Sequence, residues 1–249
     1  MEMRRYDANC ILGRWADGGP TYRDAGELLA AMDELGIQRA LVRHSLGAGY
    51  DPAYANALLR EQLAGVDRLT PCWTAIPQRM GGCAPGGADG VWLTSAEVRA
   101  VCLYPAAHGY PPEPWALDSL LAPLAERRAV ALIEAAQCDW SSLDRLCAAY
   151  PGLRPVVLSA GYRTLRPLYV LLERHVNLYV DISLQAACGA IEGLAARAGS
   201  ERLLFGTGQP RNDGAGIVAA LAYAELDAPA LAAVAGGNLE RLLAEVEAP

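Results

Sequence analysis

The sequence predicts an α/β fold: a (β/α)8 barrel formed as one domain over residues 1–249. Three observations carry this expectation. Eight short apolar runs recur along the chain, and helix-period segments of roughly 10–15 residues separate them. The length of 249 residues is close to the roughly 250 typical of such a barrel. An open doubly wound sheet and a division into about two smaller domains are the competing arrangements. No Gly-x-Gly-x-x-Gly follows the first run and no Gly-x-x-x-x-Gly-Lys is present, so nucleotide-binding sheets lose their usual support.

Residues 5–12 read as the first strand, closed by Gly13. Gly18-Gly19-Pro20 is a loop, and apolar residues at 25, 28, 29, 32 and 35 give a helix over 24–35 with Gly36 at its C′ position. Residues 40–42 form the second strand and empty into Arg43-His44-Ser45; Asp51-Pro52 then supplies the N-cap and N1 of a helix reaching residue 63. The third strand spans 69–73. Gly81, Gly82, Gly86, Gly87 and Gly90 mark residues 78–90 as a lid or surface loop, and 92–97 reads as a short helix. The fourth strand is 98–104, followed by Pro105 through Tyr110 and a helix over 117–127. The fifth is 130–133, ending at Glu134, with a helix over 139–150 stopped by Pro151-Gly152. Strands at 155–159 and 178–182 alternate with helices at 164–175 and 185–198. The last strand runs out through Phe205-Gly206-Thr207-Gly208-Gln209-Pro210, and helices over 215–226 and 230–247 close the chain.

Composition narrows the function. Hydrophobic residues are 53% and charged residues 20% of the chain, which supports a sizeable core and argues against disorder. The net charge of −7, with no basic cluster longer than Arg127-Arg128, argues against nucleic acid and anionic membrane as partners. The N-terminus lacks a signal-peptide h-region, and no stretch approaches the ~20 apolar residues of a membrane span. Seven scattered cysteines form no Cys-x-x-Cys pair, which points to reduced, buried thiols in a cytoplasmic protein and to no zinc ribbon.

Several phrases together resemble the amidohydrolase-related TIM-barrel family, that of aminocarboxymuconate decarboxylase and its relatives. Asp7-Ala8-Asn9-Cys10-Ile11-Leu12-Gly13 matches a family Asp-x-His-x-His motif near the N-terminus, and Phe205-Gly206-Thr207-Gly208-Gln209-Pro210 matches its last-strand Phe-Gly-Ser-Asp-x-Pro. Gly13-Arg14-Trp15, Pro105 through Tyr110, and Asn238-x-x-Arg241-Leu242-Leu243 are similar to a metal-poor branch of it. The resemblance implies a barrel whose metal ligands would fall at five positions. Here these are Asn9, Ile11, Glu134 in Ala131-Leu132-Ile133-Glu134, Ala160 (or Ser159 by one step of register) and Gly208. Ile, Ala and Gly offer no donor, and a catalytic zinc needs three protein ligands, so no metal and no cofactor are expected.

Functional groups of a barrel project from the C-terminal ends of its strands. Asn9, Cys10, Arg14, Arg43, His44, Trp73, His108, Glu134, Ser159, Asp181, Gln209 and Arg211 occupy such positions. His108 and Glu134 are the catalytic candidates, as acid/base groups or ligand anchors; the plain alternatives are a carbonyl-bonded loop imidazole and an ion pair with Arg43 or Arg14. Asp181 is ambiguous in the same way. Arg14, Arg43 and Arg211 can clamp a carboxylate bidentately or serve in ordinary salt bridges. Asn9, Trp15, His44 and Gln209 complete the candidate binding set, and Tyr104 and Tyr110 line a pocket or pack as core. His175, at a helix C-terminus on the opposite face, is expected to be structural.

The resulting expectation is a barrel that binds a small, anionic, carboxylate-bearing molecule. Its chemistry would be metal-independent hydrolysis of an activated ester or lactone, or decarboxylation. The alternative is a non-catalytic pseudoenzyme acting as ligand sensor or assembly partner. The two are distinguished by whether His108, Glu134 and an arginine share one solvent-reachable pocket that Trp15 and Tyr110 do not plug. A homodimer is expected from the family and from the final apolar helix.

Overall fold

In a computed structural model, the structure describes residues 3–15, 18–77, 80 and 95–248. The chain folds into an α/β TIM barrel of parallel strands. β1 (Tyr6–Leu12) pairs with β2 (Arg39–His44), and β2 with β3 (Leu69–Pro71). A second parallel run joins β4 (Trp73–Thr74), β5 (Ala100–Leu103), β6 (Val130–Glu134), β7 (Arg154–Leu158), β8 (Tyr179–Asp181) and β9 (Leu203–Leu204) in that order. β3 and β4 are two halves of one stave interrupted at Cys72, whose N–H still donates to Val42 O at 2.7 Å. The last and first staves meet through Ala8 N–H to Phe205 O at 2.8 Å and Gly208 N–H to Asn9 O at 2.9 Å, so the sheet closes on itself.

Alternation along the strands sorts side chains into two cores. Tyr6, Ala8, Leu41, Cys72, Ala100, Cys102, Leu132, Val156, Leu158, Tyr179 and Leu204 fill the barrel interior. Val42, Val101, Leu103, Ile133, Val157, Val180 and Phe205 point outward against the helices. The outer layer comes from α1 (Ala25–Glu34), α3 (Pro52–Leu63), α5 (Pro114–Glu126), α6 (Trp140–Ala149), α7 (Leu165–Arg174), α8 (Ala190–Ala198) and α9 (Gly214–Ala222). Each fully buried Leu or Ile of this layer contributes roughly 1.5–3 kcal/mol. Aspartates start α1, α3, α6 and α9: Asp24, Asp51, Asp139 and Asp213 each accept a first-turn N–H.

The N-terminal face is closed by α10 (Ala228–Ala232) and α11 (Asn238–Ala244), joined by a π-helical turn over Ala233–Gly237. A Cβ on Gly236 would stand 2.9 Å from Tyr6 N, so a larger residue cannot pass under β1 there. Leu239, Leu242 and Leu243 enter the barrel interior. The apolar face that suggested a dimer is therefore spent within the chain. Glu245 just beyond α11 pairs with Arg154 at 3.0 Å and Arg128 at 3.1 Å.

The helix expected over 230–247 is thus two helices around a π turn, because Gly236 must slide beneath β1. The helix expected to begin at residue 185 starts at Ala190, after Gly189 at φ +74°. One-turn helices α2 (Leu46–Gly49) and α4 (Pro105–His108), too short to carry a periodic signal, stand where loops were expected. Residues 78, 79 and 81–94, which hold most of the expected lid and helix 92–97, lie outside the described residues; 95–97 form a turn. Among the described residues no helix is long and apolar enough to cross a membrane. His175 caps α7 and bonds Asp144 at 2.6 Å. Cys10, Cys72, Cys102 and Cys147 are buried free thiols.

Phe205, the one phenylalanine of the chain, is completely buried between β9 and the helices. Phe205→Ala is expected to lower unfolding free energy by about 3–5 kcal/mol in urea titration; a loss under about 1 kcal/mol would contradict the outward layer as the main source of stability.

Candidate functional site at the barrel mouth

The site begins with a fault in β1. Tyr6 and Ala8 face the interior, whereas Cys10 and Leu12 belong to the outer layer, and the register with β2 shifts between Asp7 and Cys10. Such a bulge re-aims side chains. Asp7, fully buried, holds it in place by accepting from Asn9 N–H at 2.8 Å and from both the N–H (3.0 Å) and hydroxyl of Thr207. Asn9 is thereby turned into the lumen.

There Asn9 joins two clusters. Its Nδ2 donates to Asp181 Oδ2 at 2.8 Å and lies 3.3–3.4 Å from the hydroxyls of Ser159 and Ser183. Its Oδ1 accepts from Arg43 Nη2 at 2.9 Å. The same Nη2 donates to Glu134 Oε1 at 2.7 Å, and Nη1 approaches Cys102 Sγ at 3.8 Å. Arg43 is 2% exposed, Glu134 27%. A guanidinium is charged at any ordinary pH, so Arg43 carries a permanent positive charge inside the lumen. Its Nε is buried without a partner among the described residues.

Asp181, also fully buried, accepts from Ser159 N–H at 2.7 Å. Ser159 reaches it from a left-handed conformation, φ +54°, uncommon outside glycine. Burial pushes the Asp181 carboxyl up to about 6, against hydrogen bonds from Ser183, Asn9 and Ser159, while nearby Asp7 adds to the rise. Gly206 makes room for the pair: a Cβ there would lie 2.7 Å from Asp181 Oδ2 and 3.1 Å from Asn9 Cβ.

Burial favours the neutral form of both candidate histidines. Burial brings His44 down to about 4; its Nδ1 accepts from Leu46 N–H, and its ring packs where a Gly13 side chain would be. His108 is lowered by burial as well. Its Nε2 is 2.8 Å from Gly47 O, a group that can only accept, so Nε2 carries the proton and Nδ1 is bare. That Nδ1 is buried and unpartnered among the described residues. His108 stands edge-on to Tyr104, with ring centroids 5.8 Å apart, and Tyr104 lies in the field of Arg43 and Glu134.

The structure therefore joins Asn9, Arg43, Glu134 and Asp181 directly, and links His108 to them through Tyr104. The remaining candidates sit apart. Arg14 is exposed, its carbonyl receiving the Ser45 hydroxyl at 2.8 Å. Arg211, also exposed, lies 4.0 Å over the half-buried Trp15 ring. Gln209 is buried beside Thr207, its Oε1 unpartnered among the described residues, and Tyr110 is buried against His108. Ser159, a strand-end candidate, and Tyr104, a pocket-lining one, join the site, whereas Asp7, Cys102 and Ser183 belong to it without having been singled out as its residues. A charged Asp7 inside an apolar strand was the one available signal. Among the described residues no three His, Cys, Asp or Glu side chains gather as a metal-ligand set.

Gly206→Ala is expected to cost about 1–3 kcal/mol by forcing Asn9 and Asp181 apart, measured by denaturant unfolding; an unchanged midpoint would contradict the close packing. The pH dependence follows from Asp181, whose folded value of about 6 lies above the unfolded value near 3.9. Its contribution to stability is fully present below about pH 3.9 and is lost as pH rises through about 6. Wild-type stability relative to Asp181→Asn should fall by about 2 kcal/mol from pH 4 to pH 7. A flat difference would place the proton elsewhere.

The Amidohydrolase family model matches residues 14–244. A search of curated proteins found no significant match. Among solved structures, an uncharacterized TIM-barrel protein from Bordetella bronchiseptica superposes with a TM-score of 0.74 at 16% identity, over 98% of this chain and 99% of that one. A 5-carboxyvanillate decarboxylase from Sphingomonas paucimobilis gives 0.75 at 14% identity, over 98% and 99%. A dihydroxybenzoic acid decarboxylase from Polaromonas sp. JS666, with bound manganese and the inhibitor 2-nitroresorcinol, gives 0.74 at 11% over 98% and 97%. At these identities the structural likeness speaks for a shared barrel, and the family match adds the lineage: the chain belongs to the Amidohydrolase family.

Proposed function

We propose that the barrel mouth binds a small organic carboxylate and removes its carboxyl group by acid–base chemistry that needs no metal. The observation that carries this reading is Arg43: a permanently charged side chain, 2% exposed, with, among the described residues, one partly exposed counter-carboxylate and a buried, unpartnered Nε. A buried cation with unspent donors suits an anionic ligand. The decarboxylases among the structural neighbours supply the reaction class.

In the proposed step the bond from a ring or chain carbon to the carboxyl group breaks, CO2 leaves, and the electron pair left on carbon takes a proton. Arg43 orients the ligand and offsets its negative charge. Glu134, the solvent-reachable member of the cluster, exchanges the proton. His108, neutral with a bare Nδ1, accepts a hydrogen bond or proton from a ligand hydroxyl. Arg14, Trp15, His44, Gln209 and Arg211 shape the rim, while Asn9 and Asp181 hold Arg43 in position. All 21 basic Lys/Arg residues are arginine, so a Schiff-base route through lysine is closed.

The test uses 2,6-dihydroxybenzoate and 5-carboxyvanillate with protein kept in EDTA, following CO2 release from carboxyl-labelled substrate. Turnover should persist in chelator and fall roughly 10²–10⁴-fold in Glu134→Gln. Turnover abolished by EDTA would sink the metal-free reading. Saturable binding without turnover would favour the non-catalytic barrel, which the internal pairing of Arg43 with Glu134 also accommodates.

A further inference from the structure

Most of the lone pairs around the lumen are already engaged, and the bare His108 Nδ1 stands apart from the Arg43 cluster, reaching it only through Tyr104. Asn9 Oδ1 and Glu134 Oε1 both face Arg43 Nη2. The two Asp181 oxygens receive Asn9 Nδ2 and Ser159 N–H. His44 Nδ1 takes the Leu46 N–H, and His108 Nε2 is committed to Gly47 O. A divalent metal bound by protein needs several oxygen or imidazole lone pairs converging on one point. Here the point on which Asn9 and Glu134 converge holds a guanidinium nitrogen. These residues do not fit a metal of the kind bound in the Polaromonas structure.

We infer that the Arg43 guanidinium is the resident cation of this barrel mouth, occupying the position between Asn9 and Glu134 from which a divalent metal would otherwise draw its ligands, and thereby excluding one. Two effects act together. The guanidinium takes the lone pairs, and its charge repels a second cation in a poorly solvated lumen. The arrangement yields a cation of fixed charge that neither chelators nor pH removes. Substrate handling by Arg43 rests on the function proposed above; the exclusion of metal does not.

The experiment compares full-length wild type, Arg43→Lys and Arg43→Ala. Each is incubated with manganese or zinc chloride, desalted and assayed for bound metal by elemental mass spectrometry, with thermal unfolding followed with and without the metal. Wild type and Arg43→Lys should hold only trace metal and show no metal-dependent shift. Arg43→Ala, with Asn9 Oδ1 and Glu134 Oε1 released, should take up metal and gain several degrees in its midpoint when metal is added. Near-stoichiometric metal in wild type, equal uptake by the Lys and Ala variants, or a folded Ala variant indifferent to metal would each overturn the inference. If Arg43→Ala does not fold, metal uptake by wild type and Arg43→Lys decides. Binding of 2,6-dihydroxybenzoate is measured on the same samples; its absence beside the expected metal result defeats the ligand reading alone.

Discussion

The buried charge of Arg43 is the constraint around which the upper half of the barrel is arranged. A guanidinium in a lumen lined by Leu41, Leu132 and Leu158 is stable only with good partners. Glu134 on β6 supplies the counter-charge and Asn9 on β1 a neutral acceptor. Asn9 can face inward only because β1 bulges between Asp7 and Cys10, and the bulge holds because buried Asp7 ties it to Thr207 beyond β9. Having given its carbonyl to Arg43, Asn9 turns its amide toward Asp181, which also takes the Ser159 N–H. Gly206 follows as a steric necessity. One charge on β2 thus fixes the local geometry of β1, β6, β7, β8 and β9.

The two ends of the lumen answer the same problem differently. At the N-terminal end Arg154 meets Glu245, which is shared with Arg128 and Arg241 and held by the closing helix α11. That ion-pair cluster is knitted into an element whose leucines plug the barrel, so its role is structural. At the mouth the counter-carboxylate is the partly exposed Glu134, and no such helix covers it among the described residues. The apolar belt between the two ends keeps the charges from sharing solvent. A barrel enzyme divides its labour in the same sense, with stability at the N-terminal face and chemistry at the C-terminal one.

Much of the fold was legible because each stave is a dense apolar run and, among the described residues, five of its helices open on an aspartate cap. What escaped had no periodic signal. α2 and α4 are single turns, and the π turn before α11 is set by a contact between Gly236 and β1 that no local pattern encodes. For the site, placing candidates at strand ends identified Asn9, Arg43, Glu134 and Asp181, and the pairing of Glu134 with Arg43 or Arg14 was open until the structure chose Arg43. Ser159 was legible as a strand-end residue, whereas Ser183 looks like an ordinary loop serine; only the fold brings both to Asn9. Tyr104 was legible as an aromatic near the mouth, whereas its place between His108 and the ion pair depends on the turn made by α4.

The titration states of the mouth bear on what it can do. With His44 near 4 and His108 lowered by burial, both imidazoles are biased toward the neutral form. The positive potential there belongs to arginine and does not change across the range in which proteins work. An anion entering this lumen therefore meets a constant cation, and any pH dependence of binding or turnover must arise in the carboxyl groups or in the ligand. Asp181, near 6, is the buried carboxyl poised to lose its proton between mild acid and neutrality. When it does, the new charge lies against Asn9, the residue that also steadies Arg43. Protonation of Asp181 thus reaches Arg43 through one shared asparagine, which couples a pH-variable charge of the inner cluster to a fixed one.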